Sequence, residues 1–155
     1  MNHIKDTIIH KQYMMQSALK MYDILISEKQ ESLAVELLKR AAYHDNSKFE
    51  EDEAMLLASL QSKKALMDPT INLNEDERKI IEQHWKKNRH HPEHFDNINE
   101  MEDIDIMEMI CDWHARSKQH NTDMIEFVKI RQTNRFHFPE KMFEKILEYC
   151  EKMEK

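Results

Sequence analysis

The run SLAVELLKRAAYHDNSK, Ser32 to Lys48, decides how the rest of this chain is read. Leu33, Leu37, Ala41 and His44 recur at intervals of four, four and three, the spacing of one face of an α-helix. His44 therefore continues an apolar stripe. Asp45 follows Leu38 and Ala41 on the adjoining edge, so an imidazole and a carboxylate arrive together on the inward side of a helix end. A histidine in a last helical turn is favoured by the helix dipole alone. Two ionisable groups turned inward, however, need partners from elsewhere in the chain.

The 155 residues suit one compact domain spanning 1–155. Glycine is absent and proline occurs only three times, while Leu, Ile, Met, Glu and Lys abound. The expected fold is all-α, a single helical bundle of about five to six helices. Left-handed turn positions must then fall on Asn or Asp.

Around the opening helix, Ile4, Ile8, Met15, Ala18, Tyr22 and Leu25 predict a helix over Ile4–Ser27 that carries His10. Ser47 with Glu50 reads as a capping box for a helix reaching Ser62, and Asn74 with Glu77 as a second one. Asp68-Pro69-Thr70 separates them. The helix with Ile80, Ile81, His84 and Trp85 should fail near His91, because Pro92 disfavours α geometry in the residue before it. A fifth helix is expected over Met101–His120, with Ile104, Met107, Cys111 and Ala115 on one side. The last begins near Pro139 and packs through Met142, Phe143, Ile146, Leu147 and Cys150.

Charge and composition exclude several roles. A net charge of −7 without a basic tail argues against wrapping duplex nucleic acid. Cys111 and Cys150 form neither a CxxC nor a disulfide framework and are expected as reduced, buried thiols. No apolar run approaches the roughly 20 residues of a membrane span, and no signal peptide is evident, so a cytoplasmic protein is expected.

His44 and Asp45 offer a neutral imidazole nitrogen and a carboxylate oxygen, ligand types for Mn, Fe, Co or Zn. Further candidates are His10, the histidines of IEQHWKKNRHHPEHF (His84, His90, His91, His94) and Asp112 in EMICDWHARS. His84 and His91 lie seven residues apart and share a face if the helix persists that far. Asp112 sits among Ile110, Cys111 and Trp113, so its carboxylate is desolvated unless paired, with Arg116 one turn away, or bound to metal. Trp85, Trp113 and Phe95 are candidates for stacking a base, although buried packing suits both tryptophans. Glu50 to Glu53 read as a solvated helix start.

The order His10, then His44-Asp45, then the histidine cluster, then Asp112, all on helices, resembles the HD-domain superfamily of metal-dependent phosphohydrolases, over roughly residues 10 to 116. HDNSK is similar to the HDxxK form of the branch that cleaves cyclic dinucleotides, in which the lysine faces the substrate phosphate. NRHHPEHFDN stands where that branch carries its GYP motif. HDNSKF, NRHHPEHF and EMICDW together also resemble a family of small phage and bacterial proteins of uncharacterised function.

The resemblance implies one or two divalent ions (Mn, Fe, Co or Zn) held by His10, His44, Asp45 and Asp112, with His84 and His91 serving the second. It implies metal-activated water attacking a small phosphorylated substrate, a nucleotide or related phosphoester. Asp45 would orient the water, Lys48 would face the phosphate, and Arg89 and His90 would contact the substrate. Two other functions fit the same residues. One is a di-iron oxidase that activates oxygen, which the additional histidines suit. The other is a non-catalytic phage protein that binds a nucleotide or a host partner.

Overall fold

The computed structural model describes residues 3–54 and 73–155, and every regular element among them is helical. Helix α1 spans His3–Ser27 and α2 spans Glu31–Tyr43, followed by a 3₁₀ turn over Asn46–Phe49. Helix α3 covers Glu75–Lys87, and two short 3₁₀ turns, Pro92–His94 and Ile98–Glu100, lead to α4 over Asp103–His120. Helix α5 is Met124–Arg131, a π-helical turn occupies Gln132–Phe136, and α6 is Glu140–Glu154. No helix among the described residues is long and apolar enough to cross a membrane.

The long helix α1 lies against both α2 and α4, and these three helices hold the centre of the core. Met14, Ala18, Met21 and Leu25 of α1 meet Ala34, Leu37 and Ala41 of α2 and Met107, Ile110 and Cys111 of α4, all buried. The alanines let the helix axes approach while the methionines fill the irregular gaps between them. Truncating one of the large side chains here costs about 2–5 kcal/mol. Cys111 and Cys150 are buried free thiols as expected, and burial pushes the Cys150 thiol up to about 12.

The buried stripe of α1 runs through His10, Met14, Ser17, Ala18, Met21 and Leu25 rather than through Ile4, Ile8 and Met15. Ile8 is exposed, because α2 and α4 together cover a face rotated from the most apolar one. Helix α5 leaves little trace in the sequence pattern because only Met124 and Val128 of it are buried.

Helix ends follow local chemistry. The Asn74–Glu77 capping box forms, with both reciprocal bonds at 2.9 Å. The expected Ser47–Glu50 box does not. Ser47 sits inside the 3₁₀ turn with its hydroxyl turned to His84, and Glu50 is the extended residue from which a helical turn starts at 51–54. The expected continuation to Ser62 and the break at Asp68-Pro69-Thr70 lie outside the described residues. Helix α3 stops at Lys87, four residues short of His91.

Without glycine, the left-handed positions among the described residues fall on Lys29 and His137 as well as on the expected residue types, at Asp45 and Asn121. Lys29 closes α1 in a Schellman arrangement, with Gln30 N–H donating to Leu25 O at 2.9 Å and Lys29 N–H to Ile26 O at 3.0 Å.

Candidate metal centre

Helix α2 ends where its histidine and aspartate are needed. His44 is the residue after the last helical turn, and Asp45 takes φ 55°, ψ 23°, a left-handed conformation that costs a non-glycine residue about 1 kcal/mol or more. Lys11 of α1 offsets that strain. Its ammonium donates to His44 O at 2.7 Å, to Asn46 Oδ1 at 2.8 Å and to Ala42 O at 3.4 Å. The turn is thus tied to the helix that carries His10.

Around it, His10, His44, Asp45, His84, His90 and Asp112 are all buried, and His91 is partly exposed. His10 Nε2 stands 2.8 Å from Asp112 Oδ1, and His44 Nε2 stands 3.5 Å from Asp45 Oδ2 and 3.6 Å from Asp112 Oδ1. On the other side of the same carboxylate, Asp45 Oδ1 lies 3.6 Å from His84 Nε2 and 3.5 Å from His90 Nε2. His84 Nε2 and His91 Nε2 are 2.9 Å apart. Asp45 therefore stands between a His10, His44, Asp112 group and a His84, His90, His91 group.

Few of these contacts are hydrogen bonds. His10 Nε2, His44 Nε2, Asp45 Oδ1, His90 Nε2 and Asp112 Oδ1 are buried with no hydrogen-bond partner among the described residues. Desolvating a polar atom without a partner costs about 1–3 kcal/mol, so five in one place is an arrangement that asks for a cation. Three sets bring one ligand-type atom from each residue within 4.8 Å of one another: His10, His44 and Asp45; His44, His90 and Asp112; Asp45, His84 and His91. These buried clusters of histidine and aspartate could hold a metal ion.

The opposite ring nitrogens are anchored, which turns Nε2 inward. His44 Nδ1–H donates to Glu108 Oε1 at 3.0 Å, and His90 Nδ1 lies 3.4 Å from the same oxygen. His84 Nδ1 meets Glu53 at 2.5 Å, and His10 Nδ1 donates to Gln119 Oε1 at 3.3 Å. Glu108 is held in turn by Arg40, at 2.7 Å, and Arg40 also meets Asp105 at 2.7 Å.

The electrostatics follow from this packing. Burial, joined by the Arg116 guanidinium, pushes the His10 imidazole down to about 4, so it is neutral and ready to ligate at pH 7. Burial also pulls His44 down, but Asp45, Asp112 and Glu108 outweigh it and hold His44 at about 9. Burial would raise Asp45, yet Lys48 and then the histidines around it keep the carboxyl well below the usual range. Asp112 is lowered in the same way by His10 and His44. Desolvation lowers His90 and His91, with neighbouring histidines adding to it.

Of the ligand candidates read from the sequence, the fold brings His10, His44, Asp45, His84, His90, His91 and Asp112 together and leaves His94 outside the cluster. His84 and His91 meet although the helix between them ends at Lys87, because the turn through Asn88 folds the chain back. Asn88 Nδ2 donates to His84 O at 2.8 Å and to Ser47 Oγ at 3.0 Å. His90, expected from the sequence as a substrate contact, lies within the ligand cluster. Lys48 pairs with Asp45 Oδ2. Arg89 is engaged by Asp105, at 3.0 and 3.2 Å, with its guanidinium 5.0 Å over the Phe95 ring. His94 donates from Nδ1 to Trp85 O at 3.1 Å.

Three contributors go beyond the sequence reading. Glu53, expected within a solvated helix start, is buried against His84. Glu108 orients two histidines, and its signal is present in the sequence: Asp105, Glu108, Asp112 and Arg116 recur at three, four and four on one face of α4. Arg116, expected only as a partner for Asp112, reaches further. Its guanidinium is 3.6 Å from Asp112 and 4.0 Å from Asp45 Oδ2, and a quarter of its side chain reaches solvent.

An all-helical chain with two histidine groups facing one aspartate defines the class: a helical protein with a candidate metal centre. The chain belongs to a family of unknown function, DUF5662, which matches residues 1–153. No curated protein and no solved structure matches it.

Proposed function

We propose that the protein is a metal-dependent phosphohydrolase of the HD type, with the helices forming an HD-like domain, acting on a nucleotide or related phosphoester. The observation that carries this is the convergence of five unpartnered, buried ligand-type atoms from His10, His44, Asp45, His90 and Asp112. Beside them stand two cations, Lys48 and the partly exposed Arg116, suited to an anionic substrate.

His10, His44, Asp45 and Asp112 would hold one ion, and Asp45, His84 and His91 a second, with His90 beside both. When bound, a divalent ion acidifies water and polarises a phosphoryl oxygen. The chain's own groups do the rest. Asp45, ionised and fixed by Lys48, orients the attacking water or accepts its proton. Lys48 and Arg116 offset negative charge on the non-bridging oxygens. Glu108 and Glu53 keep the imidazoles in the tautomer whose Nε2 faces inward.

A second function, a di-iron oxidase, is favoured by one feature: the Asp45 carboxylate faces histidines on both of its oxygens. One experiment separates the two. Protein purified without chelator is analysed for metal beside the His44→Ala/Asp45→Ala variant, then assayed for phosphate release from nucleotides and for oxygen consumption. Mn, Co or Zn lost in the variant, with phosphate release, supports the hydrolase. Two irons, a visible absorption band and oxygen uptake support the oxidase. Absence of bound metal in the wild type after reconstitution rules out both.

A further inference from the structure

The second half of the NRHHPEHF motif is not consumed by the metal cluster. His90 and His91 turn to Asp45, whereas Pro92, Glu93 and Phe95 line a surface cleft of about 560 Å³ together with Trp85, Arg135 and Phe136. The same stretch of chain thus serves both places. His84 faces the cluster and Trp85 the cleft; His91 faces the cluster and Pro92 the cleft.

The walls are flat. Phe136 is stacked on the buried Trp113, with centroids 5.7 Å apart and planes at 18°. The Arg135 guanidinium lies 5.6 Å from the Trp85 ring and 5.1 Å from the Phe136 ring, and is paired with Glu93. A π-helical turn over Gln132–Phe136 presents Arg135 and Phe136, and such turns recur at functional sites. Gln132 clamps it, donating to Phe138 O at 2.9 Å and accepting from Phe138 N at 2.8 Å. At the rim, the Asp96 carboxylate makes no polar contact among the described residues, so it remains an acceptor for a donor on a ligand. Aromatic walls, a stacked guanidinium and an acidic rim fit a planar heteroaromatic ring that carries an amino group.

We propose that this cleft seats the amino-bearing base of the phosphoester substrate, adenine being the simplest case. The phosphate end of this assignment rests on the hydrolase proposed above; the ring end rests on the cleft alone. Adenine offers an exocyclic amine to Asp96, whereas uracil presents carbonyl oxygens that the carboxylate repels.

The test is calorimetric titration of the full chain, metal-free and Mn-loaded, with adenosine, uridine and a non-hydrolysable phosphonate analogue of AMP. In the metal-free wild type, adenosine binds about tenfold or more tighter than uridine, and Trp85→Leu weakens adenosine by about tenfold or more. Asp96→Asn, an exposed change that leaves folding untouched, brings the two nucleosides to about the same affinity. Mn loading tightens the phosphonate and leaves adenosine unchanged. Adenosine binding that survives Trp85→Leu, or no nucleoside binding by the wild type, overturns the assignment. Equal affinity for adenosine and the phosphonate in the Mn-loaded protein overturns it in favour of a free-nucleoside site. Trp85-dependent adenosine binding with Mn-dependent tightening of the phosphonate, but no phosphate release from any ester, removes the hydrolase and keeps the base site.

Discussion

Asp112 and Trp113 are neighbours on α4 and end in opposite environments. Trp113 enters an aromatic cluster with Phe127, Phe136 and Phe138, at ring separations of 5.7 to 6.5 Å. Asp112 faces His10, His44 and Arg116. Burying the aromatic side is favourable in itself, because the phenylalanine rings leave water and carry no hydrogen-bonding group. Burying the other side is not. Each charge there pays desolvation, and the atoms nearest the centre lack a hydrogen-bond partner among the described residues. The aromatic face is complete as folded, whereas the carboxylate face gathers ligand-type atoms that could hold a metal ion.

That contrast can be broken most severely at the shared carboxylate. Asp45→Ala and Asp112→Ala are expected to reduce bound metal to background and abolish phosphate release, with far-ultraviolet circular dichroism unchanged. Normal turnover in both variants would remove the assigned centre. On the apolar side, Ile110→Ala should cost about 2–5 kcal/mol in denaturant unfolding while the folded protein keeps its metal. Loss of metal from the folded variant would mean that the two faces of α4 are not independent.

Glu108→Gln acts more mildly on the same face. It keeps the shape but removes the carboxylate that orients His44 and His90, so metal affinity should fall about 10- to 100-fold, as read by competition with a chelating dye. The pH dependence has a definite sign. The folded His44 is raised from 6.5 to about 9 in the metal-free chain, so its contribution to stability is fully present below 6.5 and lost as pH rises through 9. An ion needs the deprotonated ring, so metal affinity should rise with pH over that window, and loading at pH 7 should release about one proton from this residue. Calorimetry in buffers of different ionisation enthalpy measures that proton.

The smallest effect lies far from both faces. Glu28 accepts from the Tyr149 hydroxyl at 2.6 Å and pairs with Lys152 at 2.5 Å, joining the end of α1 to α6. Lys152 and Tyr149 hold its carboxyl below the usual range despite partial burial, which favours raising it. Glu28→Gln should cost only roughly 0.2–1 kcal/mol near pH 7, less at high salt, and nothing in metal content.

Much of the centre is legible in the chain's own pattern. His44 and Asp45 stand out because a helical stripe ends on them, and Asp112 because apolar residues enclose it. Glu53 does not, because a glutamate among acidic neighbours at a helix start looks solvated until a histidine from α3 is brought onto it. Glu108 lies on the Asp112 face at helical spacing, but its use depends on two rings arriving from α2 and from the turn after α3. Helix α5 has too narrow a buried face to register, and the pairing of Arg89 with Asp105 depends on α4 being brought beside the turn after α3.

The helical class, the single-turn spacings and the types of ligand atom available are written in the chain's local pattern, since these depend on propensity and periodicity within one segment. Which histidine nitrogen faces inward, that Asp45 is presented from a left-handed turn held by Lys11, and that His84 meets His91 across a broken helix were decided by tertiary structure. Those outcomes depend on contacts between segments 31 to 109 residues apart, such as Lys11 to Ala42 and His10 to Gln119. Local pattern carries no information about such contacts until the helices pack.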